Sequence, residues 1–271
     1  GEKGKNGKTE KILYRRFLQL IIPFIIWSII QLIVNNNFNL NAFKNVFAYP
    51  DGSFWFLWVL FWISSYFYLG DYLANKVKIK QEYIIAVFIL INITLMLILD
   101  IRICGFQFFS YYFIFFVLGY YMNKYKNIIP QNPTFALSLF ILWILLGWSW
   151  GMHQIPSFLL TITLPQTLML YVYRFVTALI AVYVLFFVSK LKLNKKKSWN
   201  MPLIELGKIS LGIYVIHMIL MPIINNTLST LFLNKTINIL LLFIVTLLIS
   251  YLVCIILSKF KLTAKLLLGK I

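Results

Sequence analysis

Apolar runs on the scale of a bilayer recur along the whole chain: Phe17 to Val34, Phe54 to Leu73, Tyr83 to Leu99, Phe108 to Asn123, Pro133 to Trp150, Thr167 to Ser189, Gly207 to Ile224 and Ile237 to Ser258. A hydrocarbon layer takes about 20 residues of helix, and a backbone inside it must bond within its own segment, so runs of this kind fold as helices. The fourth run is the shortest. Composition agrees: 61% of the residues are hydrophobic and 12% charged, where a soluble domain carries roughly 25% charged residues. The expected fold class is an all-α integral membrane protein, a bundle of about eight transmembrane helices.

The 25 basic residues outnumber the 7 acidic ones and give a net charge of +18. They are dealt out between the apolar runs and form no single polar domain, so no nucleic-acid partner is expected. Their distribution fits membrane orientation, because Lys and Arg accumulate on the cytoplasmic side. Lys3, Lys5, Lys8, Lys11, Arg15 and Arg16 precede the first run; Lys76, Lys78 and Lys80 follow the second; Lys124 and Lys126 follow the fourth. Lys190, Lys192, Lys195, Lys196 and Lys197 follow the sixth, and Lys259, Lys261, Lys265 and Lys270 the eighth. The alternate connections carry only Lys44, Arg102, no basic residue, and Lys235. The expected layout is a cytoplasmic basic loop over 1–16, one transmembrane domain over 17–258 and a cytoplasmic basic tail over 259–271. The polar start has no apolar region of a signal peptide and reads as a loop cut from a longer protein.

Within Gly207 to Pro222, Ser210, Tyr214 and His217 stand four and three residues apart, which puts them on one helix face. An imidazole near mid-membrane is costly unless it faces a polar interior. It serves chemistry there, or it hydrogen-bonds a neighbouring helix. Arg174 in the sixth run must snorkel to the outer surface, pair, or point into a polar cavity that holds an anionic or hydroxylated substrate. The Asn- and aromatic-rich connection from Asn35 to Gly52 suits either sugar contacts or the headgroup interface. Gly151 to Pro165 is irregular or re-entrant, with His153 at its outer edge as a wet loop residue. Cys104 and Cys254 form no disulfide or metal pattern, and no metal is expected. Phosphate loops, a Gly-x-Ser-x-Gly elbow and His-Glu-x-x-His are absent from the sequence.

Taken in order, Arg16-Phe-Leu-Gln-Leu-Ile-Ile-Pro23 with Trp27, Phe54-Trp55-Phe56-Leu57, Tyr112 to Tyr121, Tyr173-Arg174-Phe175 and Ser210 to His217 resemble the membrane-bound acyltransferase 3 family. That family includes O-acetyltransferases of bacterial surface glycans. The resemblance implies about ten spanning helices, so that two would precede Gly1. In the family the first of these carries a basic residue and a histidine implicated in acyl transfer. It also implies an Arg-x-x-Arg motif at the cytoplasmic start of the third helix; here Arg16 matches the first arginine and Gln19 stands at the second, with Arg15 as an extra neighbour.

The implied activity is transfer of an acyl group, acetyl above all, from cytosolic acyl-CoA to a hydroxyl of a cell-envelope polysaccharide or glycolipid. Acyl-CoA is then a substrate, with no bound cofactor, and the setting is the bacterial plasma membrane. The implied roles are His217 as catalytic base, Arg15, Arg16 and Gln19 on the donor, and Arg174, Tyr214, Ser210 and Trp55 on the substrate. Two other classes stay open on the residues alone. One is a transporter or flippase of a lipid-linked sugar, although no internal repeat of the kind many transporters show is present. The other is an inactive membrane scaffold.

Overall fold

The computed structural model describes residues 10–50, 52, 54–98, 101, 103–129, 132–149, 156–159, 165–190, 200–231 and 234–270. Among the described residues every regular element is helical. The helices are α1 (Glu10–Val34), α2 (Leu40–Ala48), α3 (Trp55–Val77), α4 (Gln81–Ile98), α5 (Phe106–Lys124), α6 (Pro133–Trp148), α7 (Gln166–Lys190), α8 (Asn200–Leu231), α9 (Lys235–Ser258) and α10 (Lys261–Leu268). The described part of each of the eight apolar runs falls on a helix. Among the described residues five segments are long and apolar enough to cross a membrane: Glu10–Val34, Ile103–Lys124, Leu168–Lys190, Ile204–Ser229 and Lys235–Ser258. The shortest run thus becomes a full-length helix, because a 3-10 turn over Ile103–Gly105 leads straight into it. Helices α4 and α6 are apolar but shorter, and α3, though 23 residues long, is diluted by ring residues and by Asp71 and Asn75.

Local chemistry sets several helix starts. Asn39, Asn132 and Asn234 each occupy an N-cap, and their side chains accept from backbone N–H groups two or three residues on, which satisfies donors that have no partner inside the helix. Pro133 follows Asn132 in the first turn of α6, where its fixed φ fits and its missing N–H costs nothing. In α1 the turn over Phe17–Ile21 is a π-helix, a local widening that is rare and concentrated at functional positions.

The chain divides into two compact units, 1–119 with 199–271 and 120–198. The first has a core of Phe24, Trp27, Phe54, Leu57, Val215, Ile216, Cys254 and Leu268. Helices α3 and α4 approach closely at Gly70, where a Cβ would lie 2.8 Å from Ile85 Cδ1. Asn92 of α4 is buried and donates to the Phe88 carbonyl at 2.7 Å, and its own carbonyl oxygen accepts from Ser110 Oγ at 3.5 Å. Helices α8 and α9 form a long pair. Gly212 permits their contact, since a Cβ there would lie 2.7 Å from Cys254 Sγ and 2.8 Å from Leu268 Cδ2.

The last residues are folded, although the sequence reads 259–271 as a tail. Helix α10 turns back so that Ala264 and Leu268 are buried, and the Leu267 carbonyl accepts from Trp27 Nε1 at 2.8 Å. Gly269 ends the helix at φ +61°, a conformation that glycine adopts without steric cost.

The second unit pairs α6 with α7. Tyr173 Oη donates to the Leu146 carbonyl, Thr177 Oγ1 donates to the Tyr173 carbonyl at 2.8 Å, and Phe135 meets Tyr183 edge to face at 5.5 Å. The outward side of α6 is strongly apolar, with Trp148 90% exposed, as suits a helix surrounded by lipid.

Candidate functional site

A cavity of about 490 Å³ lies along the α8–α9 pair, lined by Ser210, Tyr214, His217 and Met221 from α8 and by Ile239, Phe243 and Thr246 among others from α9. The three residues that spacing places on one face of α8 therefore meet in one hollow. His217 is half-buried, and its Nδ1 lies 3.0 Å from the Ile213 carbonyl oxygen. A carbonyl only accepts, so Nδ1 is the donor in this contact, and Nε2 is the ring nitrogen left to a ligand. The ring packs against Tyr214 at 5.7 Å between centroids. One turn beyond His217, Pro222 sits inside the helix; it has no N–H to give the Met218 carbonyl.

Tyr214 joins this hollow to the aromatic start of α3. Its ring meets Phe56 edge-on at 5.4 Å, and its phenol is hydrogen-bonded to the Phe56 backbone. Trp55, one residue earlier, stacks on Phe108 at 4.6 Å and tilts against Tyr112 at 5.2 Å. Trp55 is thus built into an aromatic stack and is not among the cavity-lining residues. Ser210 lines the hollow, but its hydroxyl donates to the Gly207 carbonyl at 2.9 Å.

Arg15 is exposed and Arg16 half-buried, both immediately before the π-helical turn of α1, and half-buried Gln19 lies within that turn. Arg174 is half-buried on α7 and belongs to the second unit. His153 and Arg102 lie outside the described residues.

One feature of the hollow escapes a reading based on costly charges. Thr246 is 5% exposed and Ser250 fully buried, and neither hydroxyl has a hydrogen-bond partner among the described residues. Buried hydroxyls are normally bonded, and one left alone costs roughly 1–3 kcal/mol. Thr246 lines the cavity, so a ligand there would find an open polar group. The signal exists in the sequence: Thr246, Ser250 and Cys254 recur every four residues on an otherwise aliphatic helix, a polar stripe along one face.

The family described as an acyltransferase domain matches residues 3–259, nearly the whole chain. The chain belongs to the acyltransferase 3 family. No curated protein and no solved structure matches it. As a membrane acyltransferase it moves an acyl group other than aminoacyl from a donor to an acceptor, and its helices meet the lipid bilayer. Such a transfer needs a group that takes the acceptor's proton or carries the acyl group. In this acyltransferase the α8–α9 hollow holds the imidazole of His217. The matched region ends at Lys259, so α10 lies past it.

Proposed function

We propose that the protein is an O-acyltransferase, transferring acetyl from cytosolic acyl-CoA to a hydroxyl of a cell-envelope polysaccharide or glycolipid in the bacterial plasma membrane, with both ends of the chain on the cytoplasmic side. The observation that carries this reading is His217, whose Nδ1 proton is held by Ile213 in a cavity shared with Tyr214. In the reaction, His217 Nε2 takes the proton of the acceptor hydroxyl as its oxygen attacks the thioester carbonyl carbon. A C–O bond forms, the tetrahedral adduct collapses, the C–S bond breaks, and the CoA thiolate leaves and is protonated. Tyr214 and Ser210 orient the acceptor, with Trp55 supporting the aromatic wall beside Tyr214. Arg15, Arg16 and Gln19 take the donor, whose phosphates are drawn to the basic face.

The test is acetyl transfer from radiolabelled acetyl-CoA into surface glycan in cells expressing the full-length protein. Wild type incorporates label, and His217→Ala and Arg16→Ala at equal protein level reduce incorporation by about 100-fold or more and about tenfold. Undiminished labelling in both variants removes these residues from the mechanism.

A further inference from the structure

The C-terminal hook of α10 closes on the part of α1 that carries Arg15, Arg16 and Gln19. A Cβ placed on Gly269 would lie 2.3 Å from the Gln19 carbonyl oxygen and 3.1 Å from its Cα. The two backbones therefore touch, and only glycine fits between them. Three further contacts fix the hook: Trp27 donates to the Leu267 carbonyl, Leu268 fills the space that Gly212 leaves, and Thr263 Oγ1 donates to the Leu257 carbonyl at 2.6 Å. The next residue after the contact is Lys270, one Cα step of about 3.8 Å along the chain. Its ammonium is tethered, because Nζ donates to Ser258 Oγ at 2.6 Å, and an ammonium has two further protons to offer. Arg16 sits one helical turn before Gln19, so its Cβ is about 5–6 Å from that of residue 19. The π-helical turn beneath the hook, Phe17–Ile21, spans the same place.

We infer that the hook forms part of an anion site, in which Lys270, the residue after the Gly269–Gln19 contact, adds from the other end of the chain a further cation to those of Arg15 and Arg16 for a phosphate-bearing ligand. Position 19 offers a neutral amide, which cannot give a carried charge to a phosphate. Gly269 brings the chain to that position, and Lys270 is the next residue. The inference rests on the acyl-CoA reading and deepens it: the ligand is the diphosphate of the nucleotide portion of the thioester donor. The same cations fit the phosphate of an anionic lipid headgroup, and the experiment separates the two sources.

The probe is free CoA, titrated calorimetrically into the full-length protein in phosphatidylcholine nanodiscs, with pantetheine, which lacks the phosphates, as the second ligand. Expected is a loss of about three- to tenfold in CoA affinity for Lys270→Gln, recovery to within about twofold for Lys270→Arg, and pantetheine binding unchanged in both. Lys235→Gln, at the opposite end of α9, should bind CoA as wild type does. Equal CoA affinity in wild type and Lys270→Gln overturns the hook's role and leaves the donor reading standing. Parallel loss of CoA and pantetheine affinity in Lys270→Gln also overturns it, since the residue would then act on folding alone. Wild type that ignores CoA yet gains Lys270-dependent stability from phosphatidylglycerol overturns the donor reading itself and assigns the cations to lipid.

Discussion

Two helix pairs in this protein carry open hollows of similar size and opposite character. The cavity along α6 and α7 measures about 440 Å³ and is lined by Pro133, Ala136, Leu137, Phe140, Trp143, Ala181 and further aliphatic or aromatic side chains. That along α8 and α9 measures about 490 Å³ and carries Ser210, Tyr214, His217 and Thr246 among its apolar neighbours. Volume alone therefore does not mark a site for chemistry. A wholly apolar groove between membrane helices offers a lipid chain only dispersion contacts, whereas the α8–α9 hollow contains an imidazole and a hydroxyl without a partner among the described residues. The difference is one of sequence register: polar residues spaced by three and four on α8 share the hollow with Thr246, the first residue of the stripe on α9.

The two pairs also differ in how tightly their glycines are held, and this gives the largest expected effect. Gly212 of α8 faces Cys254 Sγ at 2.7 Å and Leu268 at 2.8 Å from an added Cβ, while Gly147 of α6 faces nothing within 4 Å. Gly212→Ala should overpack a filled interface and destabilise by about 1–3 kcal/mol. Gly147→Ala should be neutral or stabilise by up to about 1 kcal/mol, since alanine is the better helix former. Thermal unfolding of both variants in one detergent measures the contrast. Equal midpoints would mean that α10 does not wedge Leu268 against α8.

How much of this was readable beforehand follows the range of the forces involved. The apolar runs report the cost of exposing backbone to lipid, which each segment pays within itself, and the described part of every run falls on a helix. The shared face of Ser210, Tyr214 and His217 is likewise local, fixed by helix geometry, and the three do line one cavity. Helix α2 lies in the connection that the sequence reads for its Asn and aromatic content as a sugar or headgroup contact, although Asn39 as a cap and the spacing of Leu40, Phe43 and Phe47 announce it. Helix α10 was read as a tail because its sequence is basic and short. What folds it is contact with Trp27, Gln19 and Gly212, residues distant in the chain that no local pattern reveals. Trp55 shows the same limit: an aromatic near a loop is indistinguishable in sequence from one stacked on Phe108.

The stripe on α9 sharpens the comparison in activity as well as stability. Thr246→Val keeps the shape and removes a buried hydroxyl that has no partner among the described residues. A purely structural Thr246 would show up as a variant stabilised by about 1 kcal/mol with unchanged turnover. The expected outcome is the same gain in thermal stability together with a fall of about tenfold in kcat/KM, because a substrate hydrogen bond to that hydroxyl is worth about 1.4 kcal/mol. Steady-state kinetics with acetyl-CoA beside a melting curve reads both quantities from one preparation. A stabilised variant with full activity would reduce the α8–α9 hollow to the status of the α6–α7 one on that wall.

Ser210 provides the smallest effect and the most discriminating one, because it lines the same hollow as Thr246 with its hydroxyl already engaged. Its O–H donates to the Gly207 carbonyl at 2.9 Å, so it can only accept from a ligand, whereas Thr246 has both functions open. Local back-bonding of this kind is common for serine in helices, and deleting it exposes a carbonyl that retains its own helical partner. Ser210→Ala should therefore lower kcat/KM by less than about threefold and leave the melting temperature within about 2 °C. The ordering of the two hydroxyls is the measurement that matters. If Ser210→Ala costs more activity than Thr246→Val, the substrate lies against α8 alone, and the unpartnered stripe on α9 serves packing.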